Sequence, residues 1–152
     1  MKNRKSKTEQ NNKIVLISNY AWTVYNFRSS LITKLIEDGY EITVLSQFDG
    51  YEQKLQEIGC NVSNLIISRK GINPLMNFFT LLHILFFLSF KRPYCCLAFT
   101  IKPVIYSSIS AKFLKIPNIS MITGLGTAFL EGGWLTLLVK KLYRFALAKV
   151  SY

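Results

Sequence analysis

Tyr94-Cys95-Cys96-Leu97-Ala98-Phe99-Thr100-Ile101-Lys102-Pro103 is the stretch that decides the fold of this chain. Tyr94–Phe99 is a short apolar run opened by Pro93, and it reads as a buried strand. Thr100-Ile101-Lys102-Pro103 then turns the chain, and Pro103 opens a helix to about Leu114 with Ile105, Ile109 and Phe113 on one face. The next stretch repeats the pattern. Pro117 precedes a strand over Asn118–Ile122, which ends in Thr123-Gly124-Leu125-Gly126 before another helix-like segment. A basic turn and a glycine turn after adjacent strands lie where an open parallel sheet binds ligands, beyond its carboxyl edge.

Working back from this stretch, strands and helices alternate. Lys13–Ser18 reads as a first strand. Phe27, Leu31, Ile32, Leu35 and Ile36 recur at helical spacing, and Gly39 stops that helix. Glu41–Ser46 is a second strand. Tyr51, Leu55 and Ile58 mark a short helix before Gly59, and Val62–Ile67 is a third strand. Ser68–Pro74 is a basic loop, Leu75–Phe90 a long apolar helix, and Trp134–Val150 a basic amphipathic helix. This order predicts a doubly wound α/β parallel sheet, with strand 1 beside strand 4 and helices on both faces.

The chain has 152 residues, half of them hydrophobic, enough for one domain with a real core. Nineteen Lys and Arg against eight Asp and Glu give a net charge of +11, which favours phosphates, anionic lipid or nucleic acid as partners. Residues 1–12 read as a basic, flexible leader and residues 13–152 as the domain. Nucleic acid is not expected, because no recognised module and no basic sheet face with interleaved aromatics occurs. Ile14–Ile17 is shorter than the apolar core of a signal peptide. Cys60, Cys95 and Cys96 are odd in number and lack metal-ligand spacing, so they read as core residues in a reducing cytoplasm, with no metal and no cofactor. His83, isolated in an apolar stretch, reads as a packed or capped helix residue.

Arg28 and Lys102 are the expected anion contacts at the crevice between strands 1 and 4, walled by Asn19–Arg28 and Thr100–Val104. Arg28 is expected near the start of the first helix, where free backbone N–H groups favour negative charge. Arg supplies a bidentate fork and Lys a point charge. Gly124 and Gly126 would let backbone approach a ligand. They do not form the G-x-G-x-x-G dinucleotide fingerprint, and they follow the fifth strand rather than the first. Leu75–Phe90 carries no charge and is flanked by Arg69, Lys70, Lys91 and Arg92. It suits a sheet-packed helix or a helix dipping into an anionic membrane interface, and is short for a membrane crossing.

The run Lys13-Ile-Val-Leu-Ile-Ser-Asn-Tyr-Ala-Trp-Thr-Val-Tyr-Asn-Phe-Arg28 resembles the start of family 4 glycosyltransferases with the GT-B fold. So do Leu31–Gly39 leading into Tyr40–Leu45, Ser68–Pro74, Thr100–Pro103, Pro117–Ile119 and Ile122–Gly126, in one consistent order. The nearest likeness is to bacterial enzymes that add a sugar, often an N-acetylhexosamine, to an undecaprenyl-diphosphate-linked glycan in capsule, O-antigen or protein-glycan assembly. The resemblance implies the incomplete N-terminal half of a GT-B glycosyltransferase, a Rossmann-like, acceptor-side domain. The C-terminal domain that holds the nucleotide-sugar donor is missing or separate, as in a truncated gene product or a split enzyme.

The implied partners are a nucleotide-sugar donor, a polyprenyl-diphosphate-linked acceptor and an anionic membrane surface, with the chain peripheral on the inner face of the cell membrane. The implied acceptor or diphosphate contacts are Asn19, Arg28, Thr100, Lys102, Thr123, Gly124 and Gly126. Related enzymes often carry a histidine after the fourth strand. Here that place reads Thr100-Ile101-Lys102, so no catalytic residue is carried over. The alternative is a non-catalytic subunit that binds acceptor or membrane and recruits a donor-binding partner.

Overall fold

The computed structural model describes residues 12–67 and 73–122, with Lys141 and Arg144. The strands are β1 (Lys13–Tyr20), β2 (Glu41–Gln47), β3 (Asn61–Asn64), β4 (Cys95–Phe99) and β5 (Asn118–Met121). The helices are α1 (Ala21–Glu37), α2 (Glu52–Glu57), α3 (Pro74–Lys91) and α4 (Ile101–Leu114). The sheet runs β3-β2-β1-β4-β5, and every pairing is parallel. The chain winds outward from β1 to β3, then crosses back to β4 and β5. The expected neighbours β1 and β4 therefore flank the topological switch point.

The pleat sorts the core onto two faces. Ile14 and Leu16 of β1 join Ile42, Val44 and Phe99 against Val24 and Ile32 of α1 and Leu55 of α2. Val15 and Ile17 point the other way, with Leu45, Leu65 and Cys96 against Ile84 and Leu88 of α3. Ala98 packs under Val104 and Ile105 of α4. A central strand covered on both faces needs a continuous apolar run rather than alternation, which is what Ile14–Ile17 supplies.

Several boundaries move for identifiable reasons. The helix read from Phe27 onward starts at Ala21. Its first turn lacks a local cap and any acidic residue, so its sequence hides the start. The cap comes from elsewhere: the Trp22 N–H donates to both carboxylate oxygens of Asp49, at 3.1 and 3.0 Å, from the loop after β2. Helix α4 starts at Ile101, so Pro103 lies inside its first turn, where no intrahelical N–H bond is lost. Strand β3 is only four residues long, although Leu65 and Ile67 beyond it remain buried. Asn73 caps α3 by accepting from the Leu75 N–H at 3.0 Å, ahead of Pro74. The glycine turn and most of the Trp134–Val150 helix lie outside the described residues.

Candidate functional site

A cavity of about 360 Å³ opens on the α1 side of the switch point. Ser18 of β1, Phe99 of β4, and Thr23, Val24, Phe27 and Arg28 of α1 line it. Ser18 is fully buried, and its Oγ has no hydrogen-bond partner among the described residues. The same holds for the Arg28 Nε and for Oδ1 of the neighbouring Asn19. Buried polar atoms in folded proteins are almost always paired, so three unpaired ones gathered at this strand end are exceptional. The β1–β2 register shifts between Ser18 and Tyr20, leaving Asn19 as an extra residue in the strand. Such bulges bend a strand and re-aim its side chains.

Arg28 is in the cavity wall, but not at the helix start. It lies in the third turn of α1, beyond the free N–H groups, because the helix begins at Ala21. Its guanidinium sits 5.0 Å from the centre of the Phe99 ring, and its Nη1 donates to the Phe27 carbonyl at 2.8 Å. At the helix start the Asp49 carboxylate already occupies the Trp22 N–H. Glu52 in turn accepts from the Gly50 N–H at 3.1 and 3.2 Å, which holds the Asp49 turn. Burial raises the Glu52 pKa slightly, but backbone N–H bonds outweigh it and hold the carboxyl below its ordinary value.

Lys102 points elsewhere. It is not in the lining of the cavity; its Nζ donates to Asn77 Oδ1 at 3.3 Å, on α3. Partial burial lowers its pKa, because desolvation disfavours the charged ammonium. Arg28 and Lys102 thus belong to opposite sides of the sheet edge, rather than two walls of one small pocket. Between them stands Thr100, the residue that joins β4 to α4, with φ 69° and ψ 157°. Only glycine adopts that region freely, so the backbone is strained at the switch point. The Thr100 hydroxyl donates to the Phe99 carbonyl beside it. Thr123, Gly124 and Gly126 lie outside the described residues.

The expected wall Asn19–Arg28 contains the cavity's Thr23, Val24 and Phe27, whereas sequence reasoning missed Ser18 and Phe99. The available signal was Ser18, a polar residue closing the apolar run Ile14–Ile17. Of the remaining candidates, His83 is half-buried on α3, and its Nδ1 accepts from the Ile66 N–H at 3.4 Å, a packed helix residue as expected. The cysteines are free thiols. Burial pushes Cys60 up to about 11. Burial, with a smaller push from Cys95, takes Cys96 to about 12.

Helix α3 buries one stripe, Thr80, Ile84 and Leu88. At about 100° per residue, the exposed Leu75, Phe78, Phe79, Phe86 and Phe90 fall within an arc of about 120° on the opposite side. Phe86 is 68% and Phe90 87% exposed. By length and composition this is the one helix among the described residues apolar enough to cross a membrane. Lys91 and the exposed Arg92 close its carboxyl end.

The family model for glycosyl transferase 4-like domains matches residues 13–152. A curated relative, N,N'-diacetylbacillosaminyl-diphospho-undecaprenol alpha-1,3-N-acetylgalactosaminyltransferase of Campylobacter jejuni, is 30% identical over 132 residues. That match covers 84% of this chain and 34% of the relative, so the chain spans about a third of that protein's length. Among solved structures, the UDP-GlcNAc 2-epimerase of Neisseria meningitidis, bound to UDP-GlcNAc, superposes with a TM-score of 0.61 at 16% identity, over 88% of this chain and 38% of its own. MurG of Acinetobacter baumannii gives 0.56 at 16% identity, over 86% and 38%. These likenesses show the Rossmann-like half-fold of the larger enzymes. With the motif order of the sequence, the parallel sheet and the match over residues 13–152, the chain belongs to the glycosyl transferase 4-like family.

Proposed function

We propose that this chain is the acceptor-binding half of a transferase that moves a sugar from a nucleotide sugar to a polyprenyl-diphosphate-linked glycan, working at the cytoplasmic face of the membrane. One observation carries the reading: the Lys102 ammonium, just beyond β4, bonds the amino-terminal end of α3, the helix whose outer face bears the apolar stripe. Asn77 falls on the core-facing side of α3, at the same end of the helix as Leu75, Phe78 and Phe79 of the stripe but on the opposite face. A polyprenyl tail in the bilayer would lie along the phenylalanines. Its diphosphate would meet the Lys102 ammonium at the amino-terminal end of that helix, and an anion there favours the charged form. Thr100 and the α4 start lie at the same edge, while Asn19 and Arg28 sit across the switch point. The relative's own acceptor, a diphospho-undecaprenol sugar, agrees with this placement. Family membership also favours the transferase reading over a non-catalytic recruiting subunit.

The donor is assigned to the part of such a transferase that lies outside the third of the relative's length matched here. The test is equilibrium binding of a soluble short-chain prenyl diphosphate to the chain and to Lys102→Ala. A charge-assisted contact is worth roughly 1.5–3 kcal/mol, so the variant should bind about ten-fold or more weakly. Equal binding by a folded Lys102→Ala protein removes the diphosphate from this edge.

A further inference from the structure

Asn77 is out of place in α3. The helix is a run of leucines and phenylalanines, and asparagine is a weak helix former. At about 100° per residue, Asn77 falls within about 60° of Thr80, Ile84 and Leu88, the three members of the buried stripe. Thr80 and His83 spend their side chains on the backbone leaving β3, through the Ile66 carbonyl at 3.0 Å and the Ile66 N–H at 3.4 Å. Half-buried Asn77 reaches the other way, towards α4. Its Oδ1 accepts from the Lys102 Nζ at 3.3 Å, which joins the amino-terminal ends of α3 and α4.

A neutral amide oxygen suits an ammonium that must meet an anion. It accepts from the ammonium without cancelling its charge, whereas a carboxylate in its place would pair with Lys102 and repel a phosphate. It also orders a flexible four-carbon side chain before any ligand arrives, so less entropy is lost on binding. The position is apt as well. Asn77 and the exposed stripe lie on opposite faces of one helix, which is about 10 Å across with its side chains. With the stripe submerged by about 5–10 Å, the inner face of α3 stands at the level of the headgroups, a layer of about 5–8 Å beyond the hydrocarbon. That is the depth of a lipid-borne diphosphate.

We propose that Asn77 is a positioning residue for the diphosphate contact: from α3 it holds the Lys102 ammonium in place for the anion, one helix width from the membrane-facing stripe. The proposal rests on the acceptor reading above, and adds to it a residue that touches no ligand. Calorimetry with geranyl diphosphate on the whole chain tests it. Asn77→Ala should bind about five-fold more weakly, because the ammonium must be ordered on binding. Asn77→Asp should bind about ten-fold or more weakly, because the new carboxylate pairs with Lys102 and faces the phosphates. Asn77→Asp keeps the size and shape of the side chain, so it reads the charge even where Asn77→Ala loosens the helix start. In a Lys102→Ala background Asn77→Ala should add nothing, a coupling that a merely structural role would not give. If Lys102→Ala weakens the probe while both Asn77 variants bind like wild type, the positioning role is refuted and the acceptor reading stands. A loss from Asn77→Ala that persists without Lys102 also refutes it. Uridine diphosphate serves as the second probe: an Asn77-dependent preference for it over geranyl diphosphate assigns the contact to a nucleotide and overturns the proposal. Failure of geranyl diphosphate to bind the wild-type chain removes the acceptor reading and the positioning role together.

Discussion

Replacing Thr100 by glycine should stabilise the chain relative to alanine, which reverses the usual order. At an ordinary position with negative φ, glycine is less stable than alanine by about 0.4–1 kcal/mol, because the unfolded chain has more freedom to lose. Thr100 has φ 69° and ψ 157°, a region in which a Cβ costs about 1–3 kcal/mol. Thr100→Ala keeps that cost and loses the hydroxyl bond to the Phe99 carbonyl. Thr100→Gly loses the same bond but removes the cost. Setting about 2 kcal/mol of relieved strain against about 0.7 kcal/mol of added entropy leaves glycine ahead of alanine by roughly 1 kcal/mol. Urea unfolding of the two variants, with a slope of about 2 kcal/mol per molar, should place the glycine midpoint about 0.5 M higher. A glycine midpoint below that of alanine would show that the β4–α4 junction relaxes to ordinary backbone. The case for a strained switch point would then be lost.

Three further outcomes follow. Asp49→Ala removes the sole side-chain cap described on α1, and should cost about 0.5–2 kcal/mol and speed hydrogen exchange at the Trp22 amide; unchanged exchange would show that the helix start is held by something else. Cys60 and Cys96 should resist a thiol reagent at pH 8 until the chain unfolds, since a shift from 9.0 to about 11 alone cuts the Cys60 thiolate about a hundredfold, whereas the half-buried Cys95 reacts first. The same burial makes stability pH-dependent: the part due to the raised Cys60 pKa is full below 9.0 and is lost as pH climbs through about 11, so a flat unfolding midpoint over that window contradicts the burial. Phe86→Ser with Phe90→Ser should reduce co-sedimentation with anionic vesicles without lowering the unfolding midpoint, because both side chains are exposed; retained binding would move the membrane contact off α3.

The sheet was legible because its logic is local. Apolar runs such as Ile14–Ile17 and Cys95–Phe99, punctuated by Gly39, Gly59, Pro93 and Pro117, give strand after strand in βα order. The crossover rule then orders them without further information. The site was less legible because it depends on long-range partners. Nothing in Ala21-Trp22-Thr23 announces a helix start, since its cap is 27 residues away at Asp49. Shifting that start by two turns is what moved Arg28 from an anion-binding helix terminus into an aromatic-lined wall. Lys102 and Arg28 looked like a pair because both follow strands that are neighbours in the sheet. The pleat and the handed crossover send them to different sides, with Phe99 facing α1 and Ala98 facing α4. The strain at Thr100 has no sequence signal, because threonine is among the residues least expected there.

The same two-sidedness bears on how α3 would meet a membrane under the proposed function. Its 18 residues reach about 27 Å, close to a hydrocarbon thickness, so length alone does not separate crossing from lying in the interface. Its polar contacts do. Thr80 Oγ1 donates to the Ile66 carbonyl at 3.0 Å, and His83 Nδ1 accepts from the Ile66 N–H at 3.4 Å, so two α3 side chains bond the backbone that leaves β3. Withdrawing α3 into a bilayer would break both bonds and uncover Leu45, Leu65, Ile67 and Cys96, which pack with Ile84 and Leu88. A buried leucine or isoleucine is worth about 1.5–3 kcal/mol, so exposing Leu45, Leu65 and Ile67 would cost about 5–9 kcal/mol, comparable with the whole stability of an ordinary domain. Docking with the sheet attached loses none of this. It submerges the phenylalanine stripe, at about 25 cal/mol for each Å² removed from water, and sets Lys91 and Arg92 beside the anionic headgroups. The proposed membrane contact is therefore peripheral because the opposite stripe of the same helix belongs to the core.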